Sequence, residues 1–145
     1  MNRYTAEFIG TYALVFAGTG AIVINDVSGG TVTHPGVALT FGLVVAVMIY
    51  AVGDISGAHI NPAVTLGFWI AHRLSGREVI PYILSQCLGA LAASLTISVL
   101  FAGHPTLGAT LPSGSLVQSL LLEVVLTFLL MFVILWFFSN HSNMS

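Results

Sequence analysis

Four long apolar runs, broken at a few polar clusters, organise this chain. They cover residues 5–24, 35–52, 81–101 and 115–138, and each meets or approaches the roughly 20 mainly apolar residues that a helix needs to cross about 30 Å of hydrocarbon. Asn25, Asp26, Ser28, Gly29 and Gly30 form a turn cluster after the first run. Pro35 and Pro81 are expected in first-turn positions, where a missing N–H costs little. Residues 103–115 read as a loop, with Ser113 or Ser115 as the cap of the last helix. Gly18 with Gly20, and Gly89 with Ala93, would let helix backbones approach closely.

A fifth apolar run is too short for this scheme. Residues 62–71 would form a helix of about 15 Å, half the hydrocarbon thickness, so it can enter a bilayer but cannot cross it. The stretch before it, 53–61, is rich in glycine and polar groups and is expected not to be regular helix throughout. Non-helical backbone at membrane depth is tolerated only where protein buries it or a wet cavity runs beside it. A re-entrant loop follows: extended backbone descends, and a half-helix capped by Asn61, with Pro62 in its first position, returns to the same side. Its positive dipole end faces the membrane centre. A ladder of carbonyls leading there would suit a single-file neutral solute that both donates and accepts, while a cation would meet the positive end.

Composition narrows the class. Only 6% of the residues are charged and 57% are hydrophobic, against about 25% charged in soluble domains, so the fold class is an all-α membrane protein. Three basic residues leave no nucleic-acid footprint. Cys87 is the only cysteine, which excludes an internal disulfide and a multi-cysteine metal site. No two histidines have the i, i+4 spacing of a helical metal site and no nucleophile sits beside a base, so neither an enzyme nor a cofactor is expected. Arg3, Arg73 and Arg77 fall on one side of the four-span arrangement, which places the N-terminus in the cytoplasm. Asp54 reads as a turn former at the start of the re-entrant loop. His34, His72 and His104 lie near span ends and read as interfacial, and His59 reads as a neutral ring that props the loop.

The string SGAHINPAVTLG resembles the first signature loop of the aquaporin, or major intrinsic protein, family, with Asn61-Pro62-Ala63 as its Asn-Pro-Ala triplet. AEFIGTYALVFAGTGAIV and LTFGLVVAVMIYAVGDISGAHINP are similar to that family's first helix and to its second helix leading into the loop. The resemblance implies a passive transmembrane channel for water or small neutral solutes, without cofactor, in a plasma or inner membrane. It implies that the carbonyls of Gly57, Ala58, His59 and Ile60 line the pore and that Asn61 donates to the solute. Pro62 and Ala63 would begin the half-helix. Phe41, twenty residues before Asn61, matches an aromatic position at the family's constriction. Homotetramers surrounded by membrane lipid are implied as well.

An internal repeat supports the same architecture. EFIGTYALVF from Glu7 and EVVLTFLLMF from Glu123 align at a spacing of 116, sharing a threonine and an acid, the latter rare inside membrane spans. Three spans and a half-span separate them, so the copies are inverted. The resemblance gives Glu7, and by symmetry Glu123, the task of bracing re-entrant loops. The expected organisation is one transmembrane domain, 1–145, with a first repeat over 1–103 that includes the re-entrant loop 53–72, and the start of a second repeat over 115–138. At the same spacing a counterpart of Asn61 would fall near residue 177, beyond Ser145. The chain therefore reads as an incomplete inverted-repeat bundle, four spans plus one re-entrant half-helix, about two-thirds of a family member. Two functions remain open: a channel, inactive alone if the second half is required, or a non-conducting scaffold that associates with full-length channels.

Overall fold

The computed structural model describes residues 1–141, and within them helices are the only regular secondary structure. Five helices follow in order: α1 (Arg3–Val27), α2 (Thr33–Ser56), α3 (Pro62–Ile70), α4 (Gly76–Leu100) and α5 (Leu116–His141). All but α3 are long and apolar enough to cross a membrane. Each start has a local cause. Asn2 caps α1 by accepting the Thr5 N–H at 2.8 Å. Pro35 lies in the first turn of α2 as expected. Ser115 caps α5 by accepting the Gln118 N–H at 3.2 Å.

Two expectations are corrected. Pro81 is not in a first turn: α4 begins five residues earlier, and the proline lies inside it. The carbonyl deprived of its partner belongs to Arg77, the second residue of the helix, at an exposed end where the loss is mild. Gly53 and Asp54 do not open the loop either. Helix α2 continues through both to Ser56, because the first residue to adopt a left-handed conformation is Gly57, at φ 86°.

Helix α1 is the centre of the bundle and packs against both α2 and α4; α3 rests on α4 and α5, and among the described residues α3 is the one helix that α5 packs against. The α4 seam is visible in its buried residues, Val79, Tyr82, Gln86, Gly89, Ala93 and Ile97, which are spaced by three or four residues and so line one helix face. Gly89 lets the two backbones touch: a Cβ there would run into the Phe8 carbonyl. Further along, the Tyr12 hydroxyl donates to Thr96 Oγ1 at 3.1 Å. Polar contacts gather at the other end, where Arg3 pairs with Glu78 at 3.4 Å and Tyr4 donates to the same carboxylate.

Candidate functional site

The connection from α2 to α3 is held in a shape that residues 57–61 would not choose alone. Gly57, Ala58 and Ile60 have φ of 86°, 47° and 42°. For a β-branched residue such as Ile60 the left-handed region is a true outlier, and each such residue costs on the order of 1–3 kcal/mol. What holds them is a row of amide hydrogen bonds. The Gly57 N–H donates to the Gly53 carbonyl at 2.8 Å and the Ala58 N–H to Ser56 Oγ at 3.1 Å. His59 N–H donates to Glu7 Oε1 at 2.9 Å, and Ile60 N–H to Glu7 Oε2 at 2.7 Å.

Glu7 is fully buried, and all its partners donate. Ser56 Oγ reaches Oε1 at 2.7 Å and Gln86 Nε2 reaches Oε2 at 2.8 Å. Each carboxylate oxygen thus accepts two hydrogen bonds, which satisfies an acceptor-only group at a depth where an isolated charge would be costly. The side chain clamps α2, the loop and α4 to α1.

The peptide planes turn that clamp into a directional feature. Among the described residues no peptide is cis, and in a planar trans peptide the carbonyl of one residue points opposite to the N–H of the next. The N–H groups of residues 58, 59 and 60 point at Ser56 and Glu7, so the carbonyls of Gly57, Ala58 and His59 point away from them. Among the described residues, no hydrogen bond ends on the carbonyl oxygens of residues 57–60.

Behind the loop, a second layer fixes the histidine. The His59 ring is buried, stacks on Phe68 at 4.4 Å and tilts against Tyr82 at 5.0 Å. Its Nδ1 lies 3.2 Å from Thr65 Oγ1, which also accepts from Gln86 Nε2 at 2.9 Å. Tyr82 donates to the Ser56 carbonyl at 2.8 Å. The Gln86 amide is oriented by its neighbours: turned over, its oxygen would face the Glu7 carboxylate.

Asn61 ends the loop and starts α3. With φ −155° and ψ 126° it is extended, and its Oδ1 accepts the Ala63 N–H at 2.8 Å while Pro62 fills the first helical position. The Asn61 Nδ2 makes no hydrogen bond among the described residues. The nine residues of α3 span about 14 Å, about half of what a helix needs to cross a hydrocarbon core. Pro62 and Ala63, at the amino end of α3, are exposed.

The sequence profile described as Major intrinsic protein matches residues 1–145. The chain belongs to that family. It is 53% identical over 135 residues to aquaporin NIP1-1 of Zea mays, an alignment covering 92% of this chain and 48% of that protein. Aquaporin NIP1-3 of Oryza sativa subsp. japonica is 51% identical over 92% of this chain and 47% of its own length, and the putative aquaporin NIP4-1 of Arabidopsis thaliana is 49% identical over the same shares. The chain spans about half the length of these curated relatives, less than the two-thirds expected. The family and the four apolar helices make it an integral, multi-pass membrane protein.

The structure brings Gly57, Ala58, His59, Ile60 and Asn61 together with Glu7. Phe41 lies elsewhere, on α2, its half-buried ring against Gly18 of α1, where a Cβ would collide with it. Glu123 is not brought to this cluster. It is exposed on α5, without a hydrogen bond among the described residues. Four members of the cluster, Ser56, Thr65, Tyr82 and Gln86, were not singled out from the sequence. Gln86 carried a signal, being an uncharged but strongly polar side chain well inside an apolar span, the same oddity that marks Glu7.

Proposed function

We propose that the chain forms a passive conduit for water or small neutral solutes, running past the outward-turned carbonyls of Gly57, Ala58 and His59 and that of Ile60 to Asn61. The observation that carries this reading is the division of the loop backbone. Its N–H groups are consumed by Glu7 and Ser56, and its carbonyls are left for a guest that can donate. Asn61 Nδ2 would supply the one donor in that row, at the positive end of α3, which repels cations. Such a site binds, orients and passes a solute without bond chemistry, so the reading is not enzymatic. Proteoliposomes containing the chain are expected to shrink faster than empty vesicles under an osmotic gradient, in stopped-flow light scattering. Equal rates would reject conduction by this chain.

Asn61→Asp separates conduction from folding. Aspartate caps a helix about as well as asparagine, so thermal stability in detergent should change by less than about 1 kcal/mol. The substitution removes the Nδ2 donor and places a negative charge in the path, so water flux should fall by at least several-fold relative to wild type. An unchanged flux with Asp at 61 would place the solute path elsewhere.

Glu123 supports the same reading of the second repeat. It sits one repeat from Glu7, exposed within a span where an unpartnered charge costs about 2.5–3.5 kcal/mol, so we assign it the bracing of a second re-entrant loop. The three arginines support a cytoplasmic N-terminus, and a plasma or inner membrane and a homotetrameric assembly complete the reading. One observation favours a second function. Helix α5 buries none of the residues in its apolar span completely and leaves an apolar cleft of about 510 Å³ against α3, lined by Gly67, Phe128, Met131 and Leu135 among others. A chain open in this way suits a non-conducting scaffold for full-length channels. Co-purification with a complete family member, together with silent proteoliposomes, is the expected result for that alternative.

A further inference from the structure

Helices α3 and α5 approach closely at Gly67, where a Cβ would strike the Met131 side chain. Beside that contact lies the cleft of about 510 Å³, bounded on α3 by Ile70 and Ala71 and on α5 by residues between Phe128 and Ser139. Those two α5 residues are eleven positions apart, about 16 Å along the helix, close to half of the roughly 30 Å hydrocarbon core. The cleft is therefore about one leaflet deep. A helix is at least about 10 Å across, so 16 Å of it fills more than about 1,200 Å³, over twice the space available. One extended hydrocarbon chain is far narrower.

One end of this apolar cleft is charged. Ser139 Oγ accepts from Arg73 Nη2 at 2.9 Å, which uses one of the five N–H donors of the guanidinium. The backbone of Arg73 is fixed just past α3: its N–H donates to the Phe68 carbonyl at 2.8 Å, beside the bonds from Ala71 to Gly67 and from His72 to Trp69. These bonds satisfy the last carbonyls of α3, which would otherwise face an arriving anion. Arg77 follows in the first turn of α4, and its neighbour Gly76 lies against the Trp69 indole, a Cβ there being 3.2 Å from Nε1. Both arginines are exposed. The ion pairs among the described residues are Arg3–Glu78 and His104–Asp26, so no carboxylate there neutralises Arg73 or Arg77. Glu78, next to Arg77, is taken by Arg3 and Tyr4.

We propose that the α3–α5 cleft is a site for one anionic phospholipid, its acyl chain lying between the two helices and its phosphate held by Arg73 and Arg77. Arginine suits a phosphate because its planar fork can donate two parallel hydrogen bonds, and Trp136, in the lining near that end, suits headgroup depth. The site stands whether or not the chain conducts.

Trp136 reports on it, because Trp69→Phe leaves one tryptophan in the chain. The full chain with that change would be reconstituted in phosphatidylcholine bilayers and its fluorescence titrated with phosphatidylglycerol or phosphatidylcholine brominated in the upper half of the acyl chain, since bromine quenches an indole it touches. Each arginine near an anionic headgroup brings roughly a five-fold preference, so phosphatidylglycerol is expected to quench at least several-fold more effectively, with a smaller excess at high salt. Arg73→Gln with Arg77→Gln should bring the two lipids level. Ala71→Phe, which fills the cleft and leaves the charge, should do the same; a preference that survives it would place the lipid on the outer surface and overturn the cleft site. Ser139→Ala removes the bond to Arg73 and keeps the charge, so the preference should remain. A loss as large as that in the double arginine variant would mean that the tie between α3 and α5 selects the lipid, and would overturn the phosphate site. Equal quenching by both lipids in the starting protein would overturn it as well. No quenching by either would mean that protein covers the cleft, a second copy or a complete family member, and would overturn lipid as its occupant.

Discussion

Replacing Glu7 with leucine is expected to release the re-entrant loop and to destabilise the protein by about 4 kcal/mol, a large part of the 5–15 kcal/mol typical of a whole domain. The carboxylate accepts four hydrogen bonds, but the four donors are not equally exposed to its loss. The Ser56 hydroxyl can turn toward the Val52 carbonyl, 3.5 Å away, and Gln86 keeps its bond to Thr65. The amides of His59 and Ile60 have no alternative within the clamp, and each buried unpaired donor costs about 1–3 kcal/mol. Strain then works in the same direction, because Ala58 and Ile60 no longer gain anything from their left-handed conformations. Glu7→Gln should cost about half as much. Glutamine offers one oxygen, so one of the two loop amides still finds an acceptor, and the unpaired Gln86 Oε1 can turn to meet the new amide group. Unfolding in mixed detergent micelles would measure both variants, and hydrogen exchange at residues 59 and 60 would locate the damage. If the leucine variant keeps those amides protected, Glu7 is not what holds the loop.

Much of this arrangement could be read from the residue order, because a few side chains are too expensive at membrane depth to be accidental. Glu7 declared itself by its cost, and Asn61-Pro62 declared a helix start after a polar stretch followed by a run too short to cross. Gly53 and Asp54 misled for a local reason: both are poor helix formers, yet the capping bond that ends α2 is made from Gly57 back to Gly53, which extends the helix by a turn. Pro81 misled similarly, since its tolerance six residues into α4 depends on the exposed polar end where the helix starts. The partners of Glu7 are less legible. Ser56 and Thr65 are ordinary small polar residues until the fold brings them 49 and 6 residues away to their partners Glu7 and His59. The approach of the α4–α5 loop to α1 is less legible: glycine suits the left-handed turn at residue 108, but nothing near it in the chain announces that its open side meets Thr19.

Substituting Gly89 with valine should separate α1 from α4 and cost about 3 kcal/mol, at the upper end of what overpacking a tight interface brings. At this position a Cβ would meet the carbonyl oxygen of Phe8 and, at 3.1 Å, the backbone nitrogen of Tyr12. Neither can rotate aside as a side chain would, so relief requires moving a whole helix. Close approach through small residues is the main source of helix association in lipid, where burial of apolar surface gives no advantage. Ala93, fully buried one turn along the same seam, would lose its contacts together with Gly89. The displacement would also reach the loop: Gln86 lies three residues before Gly89 and holds Glu7 across the same interface at 2.8 Å, so widening it stretches the clamp on His59 and Ile60. Gly42→Ala supplies the contrast, because nothing lies within 4 Å of a Cβ there and alanine is the better helix former by about 1 kcal/mol. Unfolding in mixed micelles should therefore show Gly89→Val strongly destabilised and Gly42→Ala unchanged or slightly more stable, with faster exchange at residues 59 and 60 in the first variant alone. Equal stability of the two variants would mean that α1 and α4 are not held by their backbone contact, and the route from that seam to the loop would fail with it.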